Sequence, residues 1–376
     1  MPQSRKIRPM GSVAARTKAL AHVRALAADR QRAARAKVLE MLRRSGEGEA
    51  AALTLDVLLA RVRQEATVTL NFHPDRLGAD DRSVAECLLA EGRYRGQFET
   101  GITSGSRTAY PGGERDCWEQ QLFGGAYQTA GVRPEDRPKY GALNLMQHAD
   151  GGSPRFGSCY FELRAPMTAR CTLTWGDSHE GPEHVGTVEV LEPLLGALLE
   201  RVEAIGDALG VAGTDVRSLV RTLSALERRE RHEPPRGGQG RALDAYIEAQ
   251  VHGDSELPRD VEALVIDPSF DGTSTGDVLH QLCARYGIAV HRHPGFVLAL
   301  EDVPRDFRGP RMVPLAERVD RSFALVRGRL DAATVGRAAQ SLQREPETWR
   351  DCGTFEECLQ QMKQLWHCLV HAGREG

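Results

Sequence analysis

The stretch at residues 246–253 carries a single carboxylate among apolar neighbours. Read as a strand, its side chains alternate, so Tyr246, Glu248 and Gln250 share one face and Ile247, Ala249 and Val251 the other. The apolar face fits a core, the polar face lines a surface, and Gly253 leaves room for a turn. A carboxylate on a rigid strand can serve as a general base or stabilise a developing cation. The same alternation also describes an edge strand with a solvated polar face.

A second set of candidates sits where an early strand stops. Residues 67–72 alternate and are β-branched, and Pro74 removes the next ladder donor. His73, Asp75 and Arg76 then project from a strand end. A His beside an Arg offers donors for a phosphate or a carboxamide. A polar turn with a local Asp–Arg pair reads equally well. Downstream, residues 96–151 are rich in glycine, which lets backbone approach a ligand or simply makes loops. The aromatic residues in this tract favour ordered loops around a cleft, with Thr100 and Gly101 among the candidates. Arg115 and Glu119 are spaced for a structural helical pair. Asp177 and Ser178 follow a strand at 170–175, where they can meet ligand or cap the next segment. His367 and His371 lie one helical turn apart, as helix-borne zinc ligands do. No third ligand has a familiar spacing, so no metal is expected and an amphipathic helix is the preferred reading. No P-loop, GxSxG elbow, HExxH or GxGxxG opening a helix occurs.

The elements that must hold these residues follow from composition and period. The chain has 376 residues, net charge −3, 41% hydrophobic and 27% charged residues. That is ordinary for a globular protein and selects neither nucleic acid nor membrane. No apolar run is long enough to span a bilayer, and the Arg-rich start lacks the apolar centre of a signal peptide. Eight cysteines without a CxxC pair fit a reduced, cytoplasmic protein. Delivery by a specialised secretion system would leave no cleavable signal.

Residues 1–64 read as a basic helical segment. Arg5, Lys6, Arg8, Arg16, Lys18 and Arg24 begin a run of cations, and only Asp29 and Glu40 oppose the run up to residue 45. That helix could meet nucleic acid, or pack one stripe on the body of the protein. Residues 65–305 carry the strands. Those at 140–145, 156–163 and 170–175 read as antiparallel neighbours, and a strand–helix–strand unit follows residue 260, ending at 296–300. Residues 306–376 read as a helical C-terminal extension. The expected fold class is α+β, with short-stranded, mostly antiparallel sheets flanked by N- and C-terminal helices.

The order of these motifs resembles the ADP-ribosyltransferase superfamily. Residues 248–253 with the following 257–264 look like the late catalytic strand of those enzymes. Tyr140-Gly141 and residues 170–178 are similar to strands of toxin-type members. Phe72 to Arg76 also resembles an uncharacterised bacterial family with an FHPDR signature, which brings no activity with it. The chain has Glu248-x-Gln250 where the Arg-modifying subgroup has Glu-x-Glu. The resemblance implies a split NAD-binding cleft and transfer of ADP-ribose to a macromolecular acceptor, protein or nucleic acid, with NAD as substrate and no metal. It implies that Glu248 stabilises the ribosyl cation and Gln250 holds the acceptor. His73 and Arg76 would contact the NAD amide or phosphates, Tyr140 would stack on nicotinamide, and Thr100, Gly101, Gly141 and Ser178 would line the site. Two other readings remain open: a non-catalytic binding protein whose basic helix contacts nucleic acid, and a hydrolase built on His73 and Asp177.

Overall fold

The computed structural model describes residues 10–101 and 108–376. The expected positions Arg5, Lys6 and Arg8, and residues 102–105 of the glycine-rich tract, lie outside the described residues. Helices α1 (Met10–Leu42) and α2 (Ala51–Glu65) lead into strand β1 (Val68–Phe72). Helices α3 (Val84–Glu91) and α4 (Glu114–Leu122) precede β2 (Lys139–Leu143), β3 (Cys159–Leu163), β4 (Cys171–Trp175) and β5 (Val185–Thr187). Next come α5 (Glu192–Ile205), α6 (Val216–Ser224), β6 (Ile247–Val251), β7 (Val261–Ile266), α7 (Ser274–Tyr286) and β8 (Ala289–Arg292). The chain closes with α8 (Met312–Phe323), α9 (Ala332–Arg344) and α10 (Phe355–Ala372).

These strands form one open sheet in the order β8-β7-β3-β1-β2-β6-β4-β5. Every pairing is antiparallel except β7 with β8, which α7 joins as a parallel crossover. The mixed, mostly antiparallel class therefore holds, but as a single eight-stranded sheet. The three strands read as neighbours are not adjacent. Strand β1 separates β2 from β3, and β6 separates β2 from β4. Turn signals mark where strands end; they do not record which distant strand inserts between them. The expected strand at 296–300 is only Leu298–Ala299, paired with Arg329–Leu330 outside the main sheet. Its place is taken by β8.

Strand β6 is central rather than an edge. Ala142 of β2 and Thr174 of β4 flank Glu248, and all five residues of the strand are buried. The polar face is therefore internal. Local signals fix several helix ends: Ser83 and Glu86 close a capping box on α3, and Gly92 ends that helix in the left-handed region.

Helix α1 packs Ala15, Ala19 and Val23 against Phe123, Tyr127 and Val185. Some of its cations pair with the body: Arg24 with Glu189, Lys37 with Glu200 and Arg35 with Asp56 at 2.7 Å, and just past its end Arg44 pairs with Glu203 at 2.9 Å. Four charges of the basic segment are thereby engaged in intramolecular pairs. The C-terminal helices are also knitted in. Gln340 donates to the Asp75 carbonyl at 2.8 Å, and the Trp366 indole donates to the Pro154 carbonyl at 2.7 Å. One core cluster contains Leu55 of α2, Phe161 of β3 and Trp366 of α10, so it runs through all three stretches distinguished by sequence.

Candidate functional site

A cavity of about 910 Å³ opens between the β1 end of the sheet, α4, and α10. His73, Arg76, Thr100, Tyr140 and Glu248 all line it. They come from four separate segments, and the sheet order explains the meeting: β1, β2 and β6 are consecutive in space.

Glu248 sits in the wall, 3% exposed. Burial, and next the charge of Asp177, push its carboxyl up to about 7; Ser178, Gln250 and Arg115 work the other way. Asp177 behaves oppositely. Burial opposes its ionisation, but the hydrogen bond and charge of His179, 2.8 Å away, hold it low.

Behind Glu248 runs a buried chain of hydrogen bonds. The Gln250 amide donates to Glu248 Oε1 at 2.8 Å, and also to Thr174 Oγ1 at 3.1 Å. The Thr172 hydroxyl donates to Gln250 Oε1 at 2.7 Å. Thr172 Oγ1 then lies 2.9 Å from His252 Nε2, and His252 Nδ1 lies 2.6 Å from the Tyr127 hydroxyl. The Thr172 proton is committed to Gln250, so His252 Nε2 must carry the hydrogen and Nδ1 must accept from Tyr127. Burial, then the charges of Arg170, Arg16 and Lys139, hold His252 down to about 3, so the ring is neutral. Every donor in the chain therefore points toward Glu248. Such alignment fixes the carboxyl rotamer and polarises each bond in one direction.

Tyr140 is held differently from the expected free stacking platform. Its hydroxyl donates to Glu119 Oε1 at 2.6 Å, and the Arg115 guanidinium lies 4.6 Å over its ring. Arg115 also lies 4.5 Å over Trp118. Arg137, not Arg115, is the ion-pair partner of Glu119, at 2.8 Å. Desolvation raises the buried Glu119 carboxyl despite Arg137.

His73 lies edge-on to Trp366, ring centres 5.1 Å apart. Burial, then Arg76 and His367, lower its imidazole far below the ordinary value, so it offers neutral ring nitrogens. Asp177 pairs with His179 rather than with His73, which removes the dyad a His73–Asp177 hydrolase needs. His367 and His371 are also separated in role: the first is buried and the second stacks on Phe307 at 4.2 Å.

Four expected positions lie off the cavity wall. Gln250 is fully buried behind Glu248, where its amide is spent on the sheet, so it cannot reach an acceptor directly. Gly141 meets the sheet: an added Cβ would lie 2.2 Å from the Thr69 carbonyl oxygen. Gly101 is an exposed left-handed residue ending the turn Gln97–Thr100. Ser178 is buried against the Glu248 carboxyl rather than facing the cavity.

The same cavity gathers residues that spacing did not single out: Trp118, Arg155, Asp244, Arg308 and Lys363. Trp118 comes from α4, Lys363 from α10 and the others from connecting segments, and no short motif links them.

Residues 67–372 match the family model described as "Protein of unknown function (DUF3626)". That span is most of the chain, and the protein belongs to this family. No curated protein matches it.

Proposed function

We propose that this DUF3626 member is an NAD-dependent ADP-ribosyltransferase, with Glu248 as the catalytic carboxylate in a split NAD-binding cleft. The observation that carries the reading is the setting of Glu248. The Glu248 carboxyl, pushed up to about 7 by burial and Asp177, faces a cavity of about 910 Å³ and is braced from behind by a directed hydrogen-bond chain. That volume lies at the upper end of ordinary ligand sites.

In the proposed reaction the bond between ribose C1′ and the nicotinamide nitrogen breaks. The electron pair leaves with nicotinamide, which departs neutral. The ribose passes through an oxocarbenium-like state, and an acceptor nucleophile attacks C1′ and gives up its proton. Glu248 accepts a hydrogen bond from the ribose 2′-hydroxyl and offsets the positive charge that develops beside it. The cationic nicotinamide ring favours the ionised carboxylate, so substrate itself lowers the raised pKa. His73 and Arg76, at the β1 end of the same cavity, supply neutral and cationic donors. Tyr140, backed by Arg115, forms a flat surface whose open side can face the base.

The acceptor is a macromolecule, protein or nucleic acid. The test is nicotinamide release from NAD together with transfer of adenylate-labelled ADP-ribose to cell extract. The expected result is release that does not respond to chelators and a labelled macromolecule. Absence of both at millimolar NAD would defeat the proposal.

A further inference from the structure

We propose that Arg155, Arg308 and Lys363 form a subsite for a diphosphate ester, and that Asp244 fills it as an intramolecular counter-ion until the ligand arrives. Arg155 Nη1 reaches Asp244 Oδ1 at 3.3 Å, and Arg308 Nη2 reaches both carboxylate oxygens at 3.1 and 3.0 Å. The partners are unequal in exposure. The Asp244 side chain is 63% exposed, whereas Arg155 is 14% and Arg308 25% exposed. An exposed carboxylate can turn to water at little cost, but the half-buried guanidinium groups cannot follow it.

The guanidinium groups are also fixed in place. Arg155 lies 5.2 Å over Phe156 and 5.7 Å over Tyr246, and Arg308 lies 4.8 Å over Phe307. The Nε atoms of both arginines are buried without a hydrogen-bond partner. Lys363, on α10, makes no ion pair among the described residues. Burial, then Arg155, lowers its ammonium, with Arg308 and Arg115 adding to the repulsion and Asp177 opposing it.

The local charge excess suits a diphosphate. Around Lys363 stand Arg155, Arg308 and Arg115 against Asp177, and Asp244 pairs with the first two, so four cations meet two carboxylates. The excess of two positive charges matches the two negative charges of a diphosphate diester. Planar guanidinium forks suit phosphate oxygens, and a lysine adds a point charge. This assignment moves the phosphate-binding role from the β1 end, where sequence put it at His73 and Arg76, to the corner formed by the Pro154 turn, the segment before α8 and α10. Its part in turnover rests on the NAD reading; its existence does not.

The test is calorimetric titration of the full chain with ADP and with inorganic pyrophosphate at low salt. R308Q and K363Q should each weaken binding at least about tenfold, as expected for loss of a charge-assisted contact. D244N should tighten binding several-fold, because the competing carboxylate is gone. That substitution alters an exposed side chain, so it reads out even where an arginine variant does not fold. Wild-type protein that binds neither probe would overturn the proposal. So would D244N binding more weakly, or binding that R76Q abolishes and K363Q leaves intact. An oligonucleotide that displaces ADP with higher affinity would overturn the small-diphosphate class. ADP binding without nicotinamide release from NAD would support the subsite and defeat the proposed reaction.

Discussion

Gln250 donates its amide to Glu248, two residues away on the same strand, at 2.8 Å. The amide is in turn oriented by Thr172, and Thr172 by the neutral His252. This relationship gives the Glu-x-Gln spacing a physical meaning: the second residue braces the first. Removing a link should loosen the carboxyl and withdraw a donor from its ionised form. T172V leaves Gln250 Oε1 and His252 Nε2–H unpaired, at a cost of roughly 2 kcal/mol in stability. Y127F removes only the last donor and should cost about 1 kcal/mol. In both variants the pH at half-maximal nicotinamide release should move upward. A stability loss with no such movement would reduce the chain to a structural role.

The pH dependence of stability has a defined sign. Burial and the charge of Asp177 push Glu248 up to about 7 in the fold, against 4.5 for the free side chain. Between those values the native state binds more protons than the unfolded chain, so this residue's contribution weakens as pH rises through the window. E248Q removes the titration. Relative to wild type it should gain stability of order 2 kcal/mol at pH 8 over pH 5, because the 1.36 kcal/mol per unit is discounted for coupling to Asp177. Urea unfolding of both proteins at the two pH values measures the difference. Other raised groups, such as Asp75 near 6, cancel in the comparison.

Activity should follow the same group in the opposite sense. The ionised carboxylate is the working form, so kcat/KM for NAD should rise as pH increases through about 7 and then level. A profile flat from pH 5.5 to 8.5 would separate Glu248 from the rate-determining step.

Gly141 offers a control on the site's edges. Its added Cβ would collide with the Thr69 carbonyl oxygen, at 2.2 Å, and with Leu70 Cδ2, at 2.7 Å. G141A should therefore destabilise the sheet by roughly 2 kcal/mol or more through overpacking. Thermal unfolding measures this; an unchanged midpoint would mean that the β1–β2 approach is slack.

Much of the polar architecture was legible in sequence, but only one strand at a time. Alternation in 246–251 put Glu248 and Gln250 on one face, and proline marked the β1 end at His73. Sequence order did not reveal that β1 and β6 insert among the other strands, because pairing across many residues leaves no local period. That insertion turned an apparent solvated face into a buried one and changed Gln250 from a contact to a brace. The cations Arg155, Arg308 and Lys363 were illegible for a related reason. Each is an ordinary basic residue in its own segment, and only packing of α10 against the Pro154 turn brings Lys363 to the cavity. The basic N-terminal segment shows the converse: part of a conspicuous charge run, Arg24, Arg35, Lys37 and Arg44, is matched by Glu189, Asp56, Glu200 and Glu203.

The most direct measurement compares wild type with E248Q on two readouts: nicotinamide release from saturating NAD at pH 8, and calorimetric affinity for ADP. The account predicts a loss of release of at least about a hundredfold, in the range for removing a group that stabilises the transition state, with ADP affinity unchanged. Release that survives in E248Q, or ADP affinity that falls with it, would contradict a catalytic role for this carboxyl.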